Sequence, residues 1–348
     1  MSLGKLKDAV FIDPSSDHFL GDRLFDTENT FLNRDGTLLP FARMRQHLQA
    51  QGVPVHTADF LRSGQVVAEV NHYWSLGIVK GYRPFVGRND VRLRGFILFE
   101  PPLVAPGMYK ALPEITRHFE AAYVHNVIGD GYSLHGVDTG KLNKLYWPQP
   151  YDSEIDPYWS RDGRLNKMVV IAGNHNPKFR HPELYSRRIE AVAELVDQGA
   201  IDLFGRGWER WWSRHSAWLP YWKNRRAILK AYKGSCDSKL DVLSRYRFCL
   251  CLENMPMTGY LTEKLFDCLY AGTVPLYLGA PDIDELLPPD IYVDLRKYSD
   301  FSSMFAAVSK MSEQEWQRMR VAGREFLRTE GKSRYFDFMT NICNRDVA

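Results

Sequence analysis

The sequence predicts a mixed α/β protein built from two doubly wound halves. Three observations carry this. At 348 residues the chain is long for one hydrophobic core, so two domains are expected. Short apolar runs alternate with stretches of helical periodicity along its length. Between the two halves, residues 147–164 (WPQPYDSEIDPYWSRDGR) hold three prolines, a glycine and many polar groups, and read as a linker. The expected domains are 1–158 and 159–348.

In the first half, Ala9 to Ile12 (AVFI) reads as a short strand stopped by Asp13-Pro14. Residues 15–40 are polar, with Phe19, Leu20, Leu24 and Phe25 as anchors. Phe41 to Gln49 has helical spacing, Gly52 to Val55 resembles the turn into a next strand, and a further strand is expected near Val66 to Val70. Arg92 to Phe99 (RLRGFILF) is the strongest strand of this half and ends on Glu100-Pro101-Pro102. A helix over Leu112 to Glu120 and a strand over Ala122 to His125 continue the alternation.

The second half opens on a buried strand, Lys167 to Ala172 (KMVVIA), and a loop with Gly173, Asn174 and Asn176. A helix from about Leu184 to Gln198 places Ile189, Val192, Ala193 and Val196 on one face, and Gly199 stops it. Ile201 to Phe204 is the next strand. Trp208, Trp211, Trp212, Trp218 and Trp222 crowd one segment, either as packing for a surface helix or as a platform for sugar rings. Asp237 to Tyr246 reads as a short capped helix. The chain ends in helical sequence, Glu313 to Arg328 and Tyr335 to Cys343.

The stretch Arg247 to Asp300 concentrates the chemistry. An apolar strand, Phe248 to Leu252, stops on Glu253 and Asn254. A loop with Pro256 and Gly259 leads to a helix with Thr262 as N-cap; Gly272 ends it, and Val274 to Leu278 is the following strand. Strand–helix–strand units make parallel sheets with ligand sites at the strands' carboxyl ends. Lys264 lies in the first helical turn, where free N–H groups favour an anion. Arg188, early in a helix that also follows a strand, faces the same sheet edge. A phosphate-binding crevice follows from this arrangement.

Composition excludes several classes. A net charge of +3 with dispersed basic residues gives no case for nucleic acid. The exception is Lys223 to Lys233 (KNRRAILKAYK), either a solvated helix face or a contact for an anionic substrate or membrane surface. Cys236, Cys249, Cys251, Cys268 and Cys343 form neither a metal spacing nor a disulfide framework. Cys249 and Cys251 share one face of a strand and are expected in the core. No apolar run approaches the ~18–20 residues of a membrane span, and MSLGKLKDAVFID lacks the apolar core of a signal peptide. A cytoplasmic protein is expected, with peripheral association at the inner membrane as the alternative. Gly205-Arg206-Gly207-Trp208-Glu209-Arg210 lacks the third glycine of a dinucleotide fingerprint. Asp282-Ile283-Asp284 has a metal-binding spacing that is common by chance. Nothing in the sequence marks an oligomeric state.

The segment LENMPMTGYLTEKLFDCLYAGTVPLYLGAPDIDELLP resembles the signature of the α-1,3/4-fucosyltransferases, glycosyltransferase family 10. That signature runs FEN, a short loop, Y-hydrophobic-TEK, a helix, then AG-TVP-hydrophobic-LGAP. Leu252 stands where the family usually has Phe. The resemblance is strong over 167–300 and local over 96–126. It implies two Rossmann-like domains facing across a cleft, the glycosyltransferase B (GT-B) architecture, with acceptor bound by the first and GDP-β-L-fucose by the second. It implies inverting transfer of L-fucose to a glycan hydroxyl in α-1,3 (or α-1,4) linkage, with no cofactor and no metal. Eukaryotic members carry a membrane anchor, so its absence from this sequence suggests a bacterial-type member or a truncated chain.

Residue by residue, the resemblance places Lys264 and Arg188 on the diphosphate and Glu263 on the ribose hydroxyls. It places Tyr260 near base or ribose, and Asn254 near sugar or phosphate. Glu253 orients its neighbours, and Asn174 belongs to the donor loop. Glu100 is the candidate general base, Asp13 its weaker rival, and His125 and Asn126 line the acceptor side. The competing readings are a transferase of another GDP-deoxysugar and a nucleotide-sugar-binding protein without turnover. An NAD-dependent oxidoreductase is disfavoured by the broken glycine motif.

Overall fold

The computed structural model describes residues 6–150, 156–177, 181–212 and 218–344. The chain divides into two compact units, Met1–Tyr151 with Gly331–Ala348, and Asp152–Glu330.

The first unit holds strands β1 (Asp8–Asp13), β2 (Val55–Thr57), β3 (Val70–Ser75), β4 (Val91–Ile97), β5 (Ala121–Val124) and β6 (Leu142–Lys144). They pair in parallel in the order β2-β1-β3-β4-β5-β6. Helices α1 (Leu39–Ala50), α2 (Ala58–Arg62), α3 (Pro106–Lys110) and α4 (Leu112–His118) accompany them. Side chains alternate across a strand, and both faces are buried, which is why AVFI is apolar throughout. Ala9 and Phe11 join one core with Tyr73, Phe96 and Phe119, while Val10 and Ile12 join the other with Trp74, Ile97 and Met44. Trp74 lies so close over Gly95 that a Cβ there would sit 2.1 Å from its ring.

The strand expected near Val66 to Val70 lies further on, at β3. Its polar residues conceal it. Asn71 Nδ2 donates to Ala68 O at 3.1 Å and Asp90 O at 2.9 Å, and His72 Nε2 meets Asp8 Oδ1 at 2.9 Å. Both are buried with partners, so hydropathy undercounts the strand. Strand β6 (LNK) was not expected, since only its first residue is buried.

The second unit runs α5 (Asp156–Trp159), β7 (Leu165–Ile171), α6 (Tyr185–Leu195), β8 (Ile201–Phe204), α7 (Leu219–Ala231), α8 (Lys239–Leu243), β9 (Tyr246–Leu252), α9 (Glu263–Ala271), β10 (Val274–Leu278), α10 (Ile283–Leu286), β11 (Val293–Asp294), α11 (Phe301–Val308) and α12 (Glu313–Arg328). Its sheet order is β11-β10-β9-β7-β8, all parallel. Phe248, Leu250 and Leu252 of β9 bury into the core beneath α6 and α11, while Cys249 packs on the other face with Cys268 of α9. Cys251 is also buried, as expected for both strand cysteines. Gly272, at φ 67°, ends α9 in the left-handed conformation expected of it.

The domain boundary differs from the expected 158/159, and the last helix changes sides. Helix α13 (Phe338–Asn344) buries Phe338, Met339, Ile342 and Cys343 in the first unit's core, with Val10, Ile12 and Trp74. Helical periodicity shows that such a face is buried but not which sheet buries it. Among the described residues, no helix is long and apolar enough to cross a membrane.

Candidate active site

The order β9-β7-β8 makes a switch point between β7 and β9, where chain connections leave in opposite directions and open a crevice at the carboxyl ends. Glu253 and Asn254 follow β9 there, and Gly173 and Asn174 follow β7. Glu253 is 0% exposed. One of its oxygens accepts the Thr262 N–H at 2.9 Å. The Thr262 hydroxyl lies 2.9 and 3.0 Å from its two oxygens, and Lys264 Nζ donates to it at 3.1 Å. Lys264 Nζ also donates to Thr262 Oγ1 at 2.9 Å. Thr262 occupies the N-cap position of α9, but its hydroxyl turns to Glu253 and does not cap its own helix. Gly279, after β10, admits the carboxylate, since a Cβ there would meet Glu253 Cγ at 2.6 Å.

Burial by itself would pull the Lys264 ammonium's pKa down. The carboxylates of Glu253 and Glu263 outweigh it and hold Lys264 above its usual range, against an opposing push from the charge of Arg188. Lys264 is therefore a firm cation that keeps 23% of its side chain exposed. Arg188 is buried, and its pKa is lowered chiefly by that burial. Its Nη2 donates to Leu252 O at 2.8 Å, and its guanidinium lies 5.6 Å from the Tyr185 ring centroid. A guanidinium has five N–H donors, and this bond uses one. Two cations thus flank one buried carboxylate at the mouth of a parallel sheet, beside the N-terminus of α9. With unused guanidinium donors and the N-terminus of α9 beside it, that is an arrangement able to receive an anion.

The other residues expected on the donor side are placed as follows. Glu263 opens α9, 3.8 Å from Lys264 Nζ; burial raises its pKa, but Lys264 and Lys239 outweigh that and hold it low. Asn254 Nδ2 donates to the Tyr260 hydroxyl at 3.2 Å, and Asn254 O accepts from Leu184 N at 2.9 Å, tying α6 to the loop. Asn174 is buried, with Nδ2 on Gly207 O at 3.2 Å and, among the described residues, no partner for Oδ1. Two contributors escaped the sequence reading. Tyr277 O–H accepts Ala280 N–H at 2.9 Å, fixing the turn beside Glu253. The Thr262 hydroxyl links Glu253 to Lys264; its only signal was adjacency to Glu263-Lys264 in TEK.

In the first unit, Glu100 lies just past β4, and its backbone is gripped on both sides. Tyr109 O–H donates to Glu100 O at 3.1 Å, and His125 Nε2 donates to Phe99 O at 2.7 Å. Burial depresses the His125 imidazole to a pKa of about 4, so it is neutral at pH 7. Its ring stacks on Trp147, with centroids 6.2 Å apart at 17°. His125 therefore supports the segment that carries Glu100. Asn126 is engaged within its own loop, through Asp130 N at 2.9 Å and Asp130 O at 3.0 Å. Asp13, the rival base, is buried, paired with Arg62 at 2.6 Å and bonded by the Tyr73 hydroxyl.

The other motifs resolve in structural terms. Asp282 Oδ1 accepts Gly259 N–H at 2.7 Å; Asp284 binds the Tyr292 hydroxyl at 2.5 Å and Arg296 at 3.0 Å. Among the described residues, no three His, Cys, Asp or Glu side chains group to hold a metal ion. Trp208 is core, donating to Ala172 O at 2.7 Å, whereas Trp211, Trp212 and Trp222 are exposed.

Two parallel-sheet units, the second with a cationic switch point, are the make-up of a GT-B glycosyltransferase. Residues 168–327 match the family model described as glycosyltransferase family 10 (fucosyltransferase), C-terminal part, so this segment of the chain is a domain of that family. It is 30% identical over 109 residues to an α-(1,4)-fucosyltransferase of Arabidopsis thaliana, covering 29% of this chain and 26% of that protein. It is 26% identical over 199 residues to α-(1,3)-fucosyltransferase 7 of Homo sapiens, covering 56% of this chain and 50% of that protein. The matches thus span half or less of these curated relatives' lengths. A solved α1,3-fucosyltransferase superposes with a TM-score of 0.51 at 13% identity, over 93% of this chain and 84% of that one, a likeness of fold.

Proposed function

We propose that the protein transfers L-fucose from GDP-β-L-fucose to a hydroxyl of a glycan acceptor, with inversion, forming an α-1,3 or α-1,4 linkage. The observation that carries this is the Arg188–Glu253–Thr262–Lys264 cluster at the second unit's switch point, within the family-matched segment. In the proposed reaction the acceptor oxygen attacks the anomeric carbon while the bond from that carbon to the β-phosphate oxygen breaks. The bonding pair leaves with GDP, whose growing charge Lys264 and Arg188 balance. The acceptor proton passes to the Glu100 carboxylate. Glu263, Tyr260, Asn254 and Asn174 hold the nucleotide-sugar. The two cations meet the diphosphate charge without a divalent ion, and both Asp282 and Asp284 are already engaged by protein groups.

The experiment is release of GDP from GDP-fucose, with and without β-galactoside and N-acetylglucosamine acceptors. Acceptor-dependent release is expected. Glu100→Gln preserves size but cannot take the proton, so it should keep melting and GDP affinity while losing about 10²–10⁴ in rate. Near-parent turnover in that variant would remove Glu100 from the role.

A further inference from the structure

The first unit has a switch point of its own. Its order β2-β1-β3 places one between β1 and β3, and a cavity of about 230 Å³ opens at the carboxyl ends of β1, β3 and β4. Glu100 is part of its lining. Most of the side chains in its walls are apolar, among them Phe19, Leu24, Leu38, Phe41, Phe99 and Trp147. Besides Glu100 and the Trp147 indole, its polar side chains are Ser15 and Thr37, both exposed at the rim. A sugar ring pressed against those walls would lose water from its hydroxyls and find few side-chain partners, which is costly. An apolar group loses nothing and gains burial.

The size also fits. An apolar cavity of about 150 Å³ already holds a benzene ring, so this one has room for an aryl ring or an alkyl chain of several carbons. The wall is pre-formed. Trp147 packs on Phe99 with centroids 5.4 Å apart and is backed by the stacked His125 ring. Little ordering is then needed when the cavity fills.

We propose that this cavity binds an alkyl or aryl group carried by the acceptor beside the hydroxyl to be glycosylated, so that the acceptor class is an apolar glycoside and not a free sugar. The proposal rests on the reading of the first unit as the acceptor side.

The test is calorimetry on the full chain, without donor, comparing n-octyl β-D-galactoside below its micelle threshold with methyl β-D-galactoside. The octyl glycoside should bind tenfold or more tightly, since burial of about two methylenes suffices for that. Two variants should remove the advantage while keeping a cooperative melt and GDP affinity: Phe41→Gln, which makes one wall polar at some cost in melting temperature, and Thr37→Trp, which fills the mouth from an exposed position. Equal affinities for the two glycosides would overturn the proposal, as would an octyl advantage that survives both variants. The two readings fail separately. If Glu100→Gln abolishes transfer but octyl and methyl glycosides bind alike, the base stands and the cavity falls. If Glu100→Gln turns over normally and the octyl advantage persists, the cavity stands and the base falls.

Discussion

Replacing Glu253 by Gln removes one buried negative charge and changes little else in shape. The carboxylate is 0% exposed, takes the Thr262 N–H at 2.9 Å and Lys264 Nζ at 3.1 Å, and faces the Arg188 charge as well. Removing one partner of a buried ion pair costs about 3–5 kcal/mol, because the other charge is left uncompensated. Gln keeps one acceptor oxygen, and Lys264 retains 23% exposure through which water can reach it, so the low end applies, about 3 kcal/mol. Each kcal/mol shifts the melting temperature of a unit this size by about 2–4 °C. The ligand-free variant should therefore melt about 6–12 °C below the parent at neutral pH. GDP would supply the missing negative charge between Lys264 and Arg188, so the gap should narrow when GDP is saturating. Calorimetric melts of both proteins, with and without GDP, measure both effects. A variant melting within about 1 °C of the parent would refute the charge argument. An equal drop with and without GDP would refute the placement of the diphosphate between the two cations.

Lys264→Ala should weaken GDP binding about ten- to hundredfold in calorimetry, the loss of one charge-assisted contact of roughly 1.5–3 kcal/mol. Turnover should survive EDTA; abolition by chelation and rescue by Mn²⁺ would bring the Asp282/Asp284 pair back into the mechanism. His125 adds an acid-sensitive contribution. Its pKa is about 4 in the fold against a usual 6.5, so the unfolded chain binds the proton more readily. Its stabilising effect is complete above pH 6.5 and is lost as pH falls from 6.5 through 4, by about 3 kcal/mol in all. Urea melts across that window should show this slope in the parent, and a shallower one in His125→Gln.

What the sequence by itself determined was local. Phe248 to Leu278 is a strand, a loop, a helix and a strand in unbroken order, each announced by its own apolar spacing or stop residue, and the same segment carries the family signature. Gly272 could be assigned because a helix end in the left-handed conformation is a property of a single residue. The alternation of strand and helix likewise foretold two parallel sheets, since each such unit is short.

The tertiary structure decided whatever depends on partners distant in sequence. Strand β3 is hidden in the sequence because Asn71 and His72 are satisfied by Asp90 and Asp8, groups that periodicity does not see. Helix α13 has an apolar face that would suit either core, and only packing against Val10, Ile12 and Trp74 assigns it to the first unit. Arg188 reaches the Leu252 carbonyl 64 positions away, and the buried Glu253 is tolerated because Thr262 and Lys264 converge on it. A buried charge is stable only with its partners in place. Residue type could nominate Glu253, but only the fold shows it spent on holding Lys264.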